Sequence, residues 1–221
     1  MKHIVMDIEM NKVKKNSEAG LICSNETIEI GAVMLDENFR EISSFQVSVK
    51  PEYNDRIIPS ITRLTGITTE MVSDAPRFNE AFRMFSDWCR SAGDAFKIYS
   101  WSDTDFNQIS KEMILKQYDK NPSEEAMMAE PWSDFQKEFD THLGFEKQLS
   151  LSTALEMADI DFAGRKHSAL DDARNTAELL HICNDEELFN RTLRKIRDYM
   201  QPSECVFTLG GLIDLSTMQT A

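Results

Sequence analysis

Three runs with strand patterning crowd into the first fifty residues, and a helical period replaces them afterwards. No other feature constrains the fold as much. KHIVMDIE (2–9), TIEIGAVML (27–35) and ISSFQVSV (42–49) are rich in valine and isoleucine, and in the third Phe45, Val47 and Val49 alternate with polar neighbours. Asp36, Glu37 and Asn38 supply a turn between the second and third runs, and the polar stretch 10–26 reads as a loop. Strands spaced this closely pair as an antiparallel meander. Beyond Pro59 the period changes: Phe78, Ala81, Phe82, Phe85, Trp88 and Cys89 recur at the spacing of an amphipathic helix. AFKIYSW (95–101) predicts a buried strand and a helix follows over about 105–118, until the polar DKNPSEE breaks it. Further helices are expected near 133–142, 152–159, 168–183 and 186–199. Strands first, then strand and helices in alternation, predict an α/β fold with a mixed central sheet, antiparallel meander plus parallel strands, flanked by helices. The simplest organisation is one domain over 1–200 and a C-terminal tail over 201–221.

Several classes of function are excluded by composition. No run of about 18 apolar residues exists, so no membrane span or membrane partner is expected. The N-terminus MKHIVMDIEM lacks the apolar core and cleavage site of a signal peptide. Cys23, Cys89, Cys183 and Cys205 are scattered without a CxxC pair, which suits a reducing compartment and points to a cytoplasmic location. The formal charge of −14 is unusual for a chain that grips nucleic acid by its phosphates. An acidic balance keeps a protein soluble, and some of the acids are free to serve as metal ligands. Two small basic islands, Lys12, Lys14 and Lys15, and then Arg165 and Lys166, flank the most informative stretches. They read as solvated loops or as contacts to an anion.

Those stretches carry clustered acids. In VMDIEM (5–10), Asp7 and Glu9 lie two apart on a strand and share a face, with Ile8 turned into the core. Two carboxylates about 7 Å apart repel unless a cation lies between them, and a hard divalent ion takes oxygen ligands. In WSDTDF (101–106), Asp103 and Asp105 stand where a strand ends and a helix begins, so either serves as a cap or reaches a site. In HSALDDARNTAELL (167–180), Ser168 reads as the N-cap and Asp171 suits the first turn, while His167 and Asp172 are left without a structural reason. A histidine in the loop before an acid-bearing helix can reach a site at its first turn and work there as a general base near neutral pH.

Together these pieces resemble the DEDDh class of 3′–5′ exonucleases, with an RNase H-like fold. The class pattern is D-x-E on the first strand, an aspartate at the start of a middle helix, and H-x-x-x-x-D at the last helix. In this chain it falls on Asp7 and Glu9, Asp105, and His167 with Asp172. TIEIGAVMLD, ITRLTGITTEMVSDAPRF and HSALDDARNTAELL extend the resemblance over about residues 2–182. Within the class, the LTGIT segment and WSDTDF look most like the branch of histone-mRNA and small-RNA exonucleases and KinA-pathway-inhibitor-type relatives. The resemblance implies that Asp7, Glu9, Asp105 and Asp172 hold two Mg²⁺ or Mn²⁺ ions and that His167 is the general base. It implies release of nucleoside 5′-monophosphates from the 3′ end of single-stranded nucleic acid or short oligonucleotides, RNA favoured over DNA. Met10, Thr65, Gly66 and Phe106, with His167, are the expected substrate contacts, and Trp101 is assigned to packing. Met10 departs from the threonine or small residue of many relatives, which bears on substrate choice. The family analogy also allows a homodimer. Two competing readings are a DNA-directed proofreading-type exonuclease and a non-catalytic regulatory module on the same fold.

Overall fold

β1 (Lys2–Lys12) is the spine of the molecule. Its alternation sends Ile4, Met6 and Ile8 into one core, while Val5 enters a second core on the opposite face. The structure is a computed structural model that describes residues 1–14, 17–93 and 95–200. Lys15 and the expected tail, 201–221, lie outside the described residues.

A short helix, α1 (Glu18–Ile22), precedes β2 (Asn25–Leu35), which pairs antiparallel with β1 and then with β3 (Glu41–Ser48). The expected meander is therefore present. The polar loop expected over 10–26 is shorter than its composition suggested, because β1 runs on to Lys12 and Ser17 caps α1 through a hydrogen bond accepted from the Gly20 N–H. α2 (Pro59–Thr65) and α3 (Phe78–Arg90) follow, α3 laying its phenylalanine stripe on the Ile4 face. β4 (Phe96–Ser100) then pairs parallel with β1, and the sheet order is β3-β2-β1-β4-β5, where β5 is the two-residue Ser133–Asp134. α4 (Thr104–Leu115) leaves the end of β4. α5 (Pro122–Met127) occupies the stretch expected to be a break. Its start combines a proline at the first turn with a reciprocal Asn121–Glu124 capping box.

The second face is covered by α6 (Phe135–Leu143), α7 (Leu151–Met157) and α8 (Ala169–Asn184), whose apolar residues pack with Val5, Val33 and Leu35. The last expected helix is two, α9 (Glu186–Thr192) and α10 (Arg194–Met200). They fold back toward α6: the Phe189 ring lies 4.8 Å from that of His142, and the Arg197 guanidinium sits 5.0 Å from the Phe189 ring. No helix among the described residues is long and apolar enough to cross a membrane.

Two features hold the helices that matter most. α4 is anchored by a buried charge network. Lys116 lies 2.7 Å from Glu112, 3.3 Å from Glu52 and 3.5 Å from Glu26. Glu112 in turn accepts from the backbone and hydroxyl of Thr27 on β2. α8 is anchored by contact with bare backbone. A Cβ added at Gly31 of β2 would stand 2.1 Å from the Leu170 nitrogen, so the first turn of α8 reaches the sheet only where a side chain is missing. Gly31 is the cross-strand partner of Asp7. Gly31→Ala should destabilise the fold by ~2 kcal/mol or more, measured by urea unfolding, because backbone rather than a flexible side chain must yield.

Candidate active site

β1, α4 and α8 deliver acids to one place. Asp7 and Glu9 project from the α8 side of β1, Glu9 beside a register irregularity between Glu9 and Met10. Such bulges re-aim side chains at the rims of sheets. Asp105 is buried in the first turn of α4, and its carboxylate accepts a 3.2 Å hydrogen bond from the Ile8 N–H. It therefore ties the helix to the strand between the two other acids, while Asp103 sits at the N-cap position without a side-chain capping bond. Asp172 lies in the first turn of α8 and accepts at 3.0 Å from the His167 N–H. That bond holds His167 at φ 61°, a left-handed conformation uncommon for a residue with a side chain. Asp171 keeps the structural role expected of it: it accepts from the Arg165 N–H at 3.0 Å and steadies the same loop.

One ligand atom from each of Glu9, His167 and Asp172 lies within 4.8 Å of the others. Asp7 and Asp105 border the same cleft of about 460 Å³. The set fits a hard divalent ion on chemical grounds, since it is oxygen-rich and its charges oppose one another. Loss of water pushes the Asp7 carboxyl well above the ordinary range, and Asp105, Asp172, Glu9 and Glu29 push it further. Glu9 is raised to about 8, first by burial and then by Asp172 and Glu29. Burial also raises Asp105, against the opposing hydrogen bond from Ile8. Asp172 is raised to about 6 by burial, with His167 opposing.

Met10 and His167 line the cleft. Thr65, Gly66 and Phe106 do not. Thr65 is fully buried, its hydroxyl donating to the Ile61 carbonyl and accepting from the Ile67 N–H, so it closes α2. Gly66 is the left-handed cap of α2 at φ 72°, and an added Cβ would lie 1.9 Å from an Arg165 guanidinium nitrogen. It seats the arginine beside the cleft. Phe106 turns into the core, its ring 5.4 Å from that of Trp132. The apolar walls are instead Ile61 and Leu64 of α2, Phe162, and Trp101, which also packs on Phe135 and Phe139. Of the basic islands, Lys12 and Lys166 reach the cleft, whereas Lys14 pairs with Asp55.

Sequence reasoning passed over Glu29. It stands opposite Glu9 on β2, is buried, and accepts at 2.9 Å from the Ala169 N–H, the first residue of α8. Gln46 donates to its other oxygen. A glutamate in the middle of the apolar run TIEIG is the signal that could have found it.

The raised acids have a consequence for stability. Glu9 has an ordinary value of 4.5 and a folded value of about 8, so the folded protein holds this proton more tightly than the unfolded chain. The advantage exists at low pH and is lost as pH climbs through that window. In chelator, wild type should melt progressively below Glu9→Gln as pH rises from 4.5 toward 8. Mn²⁺ at the upper end should restore wild type more than the variant, since the ion favours the charged acids. A melting difference that stays constant across this range contradicts the repulsion described above.

Comparison with known proteins follows the same lines. The sequence profile of the exonuclease family (RNase_T) matches residues 4–180. The chain is 30% identical over 164 residues to the 3′–5′ exoribonuclease 1 of Rattus norvegicus, covering 70% of this chain and 46% of that protein. It is 27% identical over 196 residues to the ERI1 exoribonuclease 2 of Xenopus laevis, covering 80% of this chain and 27% of that protein. It thus spans less than half the length of these relatives. Among solved structures, the nuclease domain of 3′hExo, a DEDDh family member bound to rAMP, superposes with a TM-score of 0.69 at 22% identity, covering 84% of this chain and 92% of that one. A full-length 3′-exonuclease gives 0.71 at 22% identity, covering 83% and 82%. The fold is that of these RNase H-like nucleases, and the chain belongs to the exonuclease family.

Proposed function

We propose that this chain is a metal-dependent 3′–5′ exonuclease that removes nucleoside 5′-monophosphates from single-stranded RNA. The observation that carries the reading is the convergence of Asp7, Glu9, Asp105, His167 and Asp172, from three separate elements and a loop, on one cleft. A purely binding module has no use for four acids that destabilise one another. The four carboxylates would hold two Mg²⁺ or Mn²⁺ ions, which supply charge neutralisation for an in-line phosphoryl displacement. His167 stands exposed at the rim of the cleft, held by Asp172 through its backbone, where it can take a proton from the attacking water and pass it to solvent. The water oxygen bonds to phosphorus, the bond from phosphorus to the 3′ oxygen of the preceding nucleotide breaks, that oxygen takes a proton from solvent to become the new 3′ hydroxyl, and a 5′-monophosphate is released.

The cleft walls support a single-stranded end. Trp101, Phe162, Ile61 and Leu64 offer faces on which a splayed base can stack, a contact an intact duplex does not present. Among the described residues, Lys12 and Lys166 supply the lysine charge lining this cleft and would meet phosphate. RNA is preferred over DNA here because the relatives at 27–30% identity carry the name exoribonuclease. Residues 1–200 are the catalytic unit, active in the cytoplasm.

A 5′-labelled RNA oligonucleotide and its DNA counterpart, incubated with Mn²⁺, Mg²⁺ or chelator, test this directly. The expected result is a ladder that shortens from the 3′ end, faster on RNA and absent in chelator. His167→Ala and Asp7→Asn should each lower the rate by about 10²–10⁴-fold while leaving the circular dichroism unchanged. Full activity in either variant sinks the assignment, and a faster DNA ladder moves the substrate to DNA.

A further inference from the structure

A second groove opens directly off the catalytic cleft. It has a volume of about 400 Å³ and shares Met10, Asn25 and Thr104 with the cleft. One wall is α1 and the turn after it. The other is the solvent side of α4, with Asn107 and Lys111.

The α1 wall presents an anomaly. Leu21 is 87% exposed and Ile22 is 50% exposed, both on a helix of five residues. Neither belongs to a hydrophobic cluster of the described residues. The helix that carries them is nevertheless fastened on its other side. Ala19 and Cys23 pack with Val13 and Leu115, the Cys23 thiol lies 3.0 Å from the Asn25 carbonyl and 3.5 Å from the Gln108 side chain, and Ser17 caps the first turn. A short helix of low intrinsic stability is thereby fixed so that two large apolar side chains face water beside a groove. Across the groove, Lys111 is exposed and has no ion pair among the described residues, in a chain of net charge −14. Ser24 and Asn107 add hydrogen-bonding groups.

We propose that this groove is a second nucleotide subsite, which holds the nucleotide on the 5′ side of the scissile phosphate. Leu21 and Ile22 contact the base, and Lys111 meets the phosphate that follows. The inference rests on the exonuclease reading of the neighbouring cleft. An oligonucleotide whose last residue fills that cleft must continue somewhere, and this groove is contiguous with it. Asp103 also lines the groove, eight residues before Lys111 on the same helix, about 12 Å away along its axis. The phosphate is therefore directed to the Lys111 end. An apolar peptide segment would also suit Leu21 and Ile22, but it leaves Lys111 and the continuity with the cleft unexplained.

The test compares two substrates in the full chain. The p-nitrophenyl ester of uridine 5′-monophosphate carries a nucleotide for the catalytic cleft but neither the base nor the further phosphate that the groove would hold, whereas a hexanucleotide of RNA carries both. For Leu21→Asp combined with Lys111→Glu, kcat/KM on the nitrophenyl ester should equal that of wild type. KM for the hexanucleotide should rise by roughly tenfold or more, with a shallower dependence on salt, and Leu21→Phe with Lys111→Arg should restore it. Unchanged hexanucleotide kinetics in the charge-reversed variant overturn the subsite and leave the exonuclease reading standing. If wild type cleaves neither substrate, the exonuclease reading falls. The subsite is then judged by fluorescence anisotropy of a labelled hexanucleotide in Ca²⁺: a tenfold weaker complex in the variant supports it, and equal affinity or no complex overturns it.

Discussion

The contact between Gly31 and the first turn of α8 sets the rest of the site. Asp7 pairs with Gly31 across β1 and β2, so the backbone that α8 touches is the backbone beside the first acid. Any side chain at that position would lift the helix, and with it Asp172 and the loop that ends in His167. Glu29 completes the seat two residues earlier, by accepting from the N–H of Ala169. A carboxylate at the start of a helix is favoured by the helix dipole and satisfies a donor that would otherwise be buried without a partner. Position and electrostatics therefore converge on the same strand.

The acids are held together against their own repulsion. Burial raises each of Asp7, Glu9, Asp105 and Asp172, and the fields of neighbouring carboxylates add to it. Backbone donors oppose the effect: Ile8 donates to Asp105, and His167 donates to Asp172. The scaffold also holds partnered acids elsewhere. Glu26, Glu52 and Glu112 surround Lys116 and fix α4 from below, so that helix arrives at the cleft with Asp105 already in place. One group of carboxylates is gathered by a buried lysine, with Arg77 and backbone donors, and anchors the scaffold. The other is left for a ligand.

Much of this was legible in the sequence because periodicity and spacing are local. The three early strands, the phenylalanine stripe of α3 and the helix after HSALDD follow from side-chain alternation or a 3.6-residue repeat. The five residues of the DEDDh pattern converge because Asp7 and Glu9 share one face of β1, Asp105 and Asp172 lie in the first turns of α4 and α8, and His167 stands just before α8. What escaped depends on chemistry that periodicity does not report. α1 and α5 are short helices made by caps at Ser17 and Asn121 within polar stretches. Thr65 and Phe106 sit beside the right motifs, but a hydroxyl spent on its own helix and a ring drawn to Trp132 leave neither facing the cleft. Trp101 serves packing and cleft wall together, two roles a sequence reading tends to treat as exclusive.

The length of α8 gives its two ends unequal duties. Its 16 residues span about 24 Å, with Asp172 at one end and the α9–α10 pair attached at the other. Helices are stiff, and Gly31 acts as the point on which this one rests. A tilt of a few degrees, imposed where Phe189 and Arg197 meet α6, translates into displacement on the order of an ångström along the rod. The C-terminal helices are thus the long arm of a lever whose short arm carries the acid.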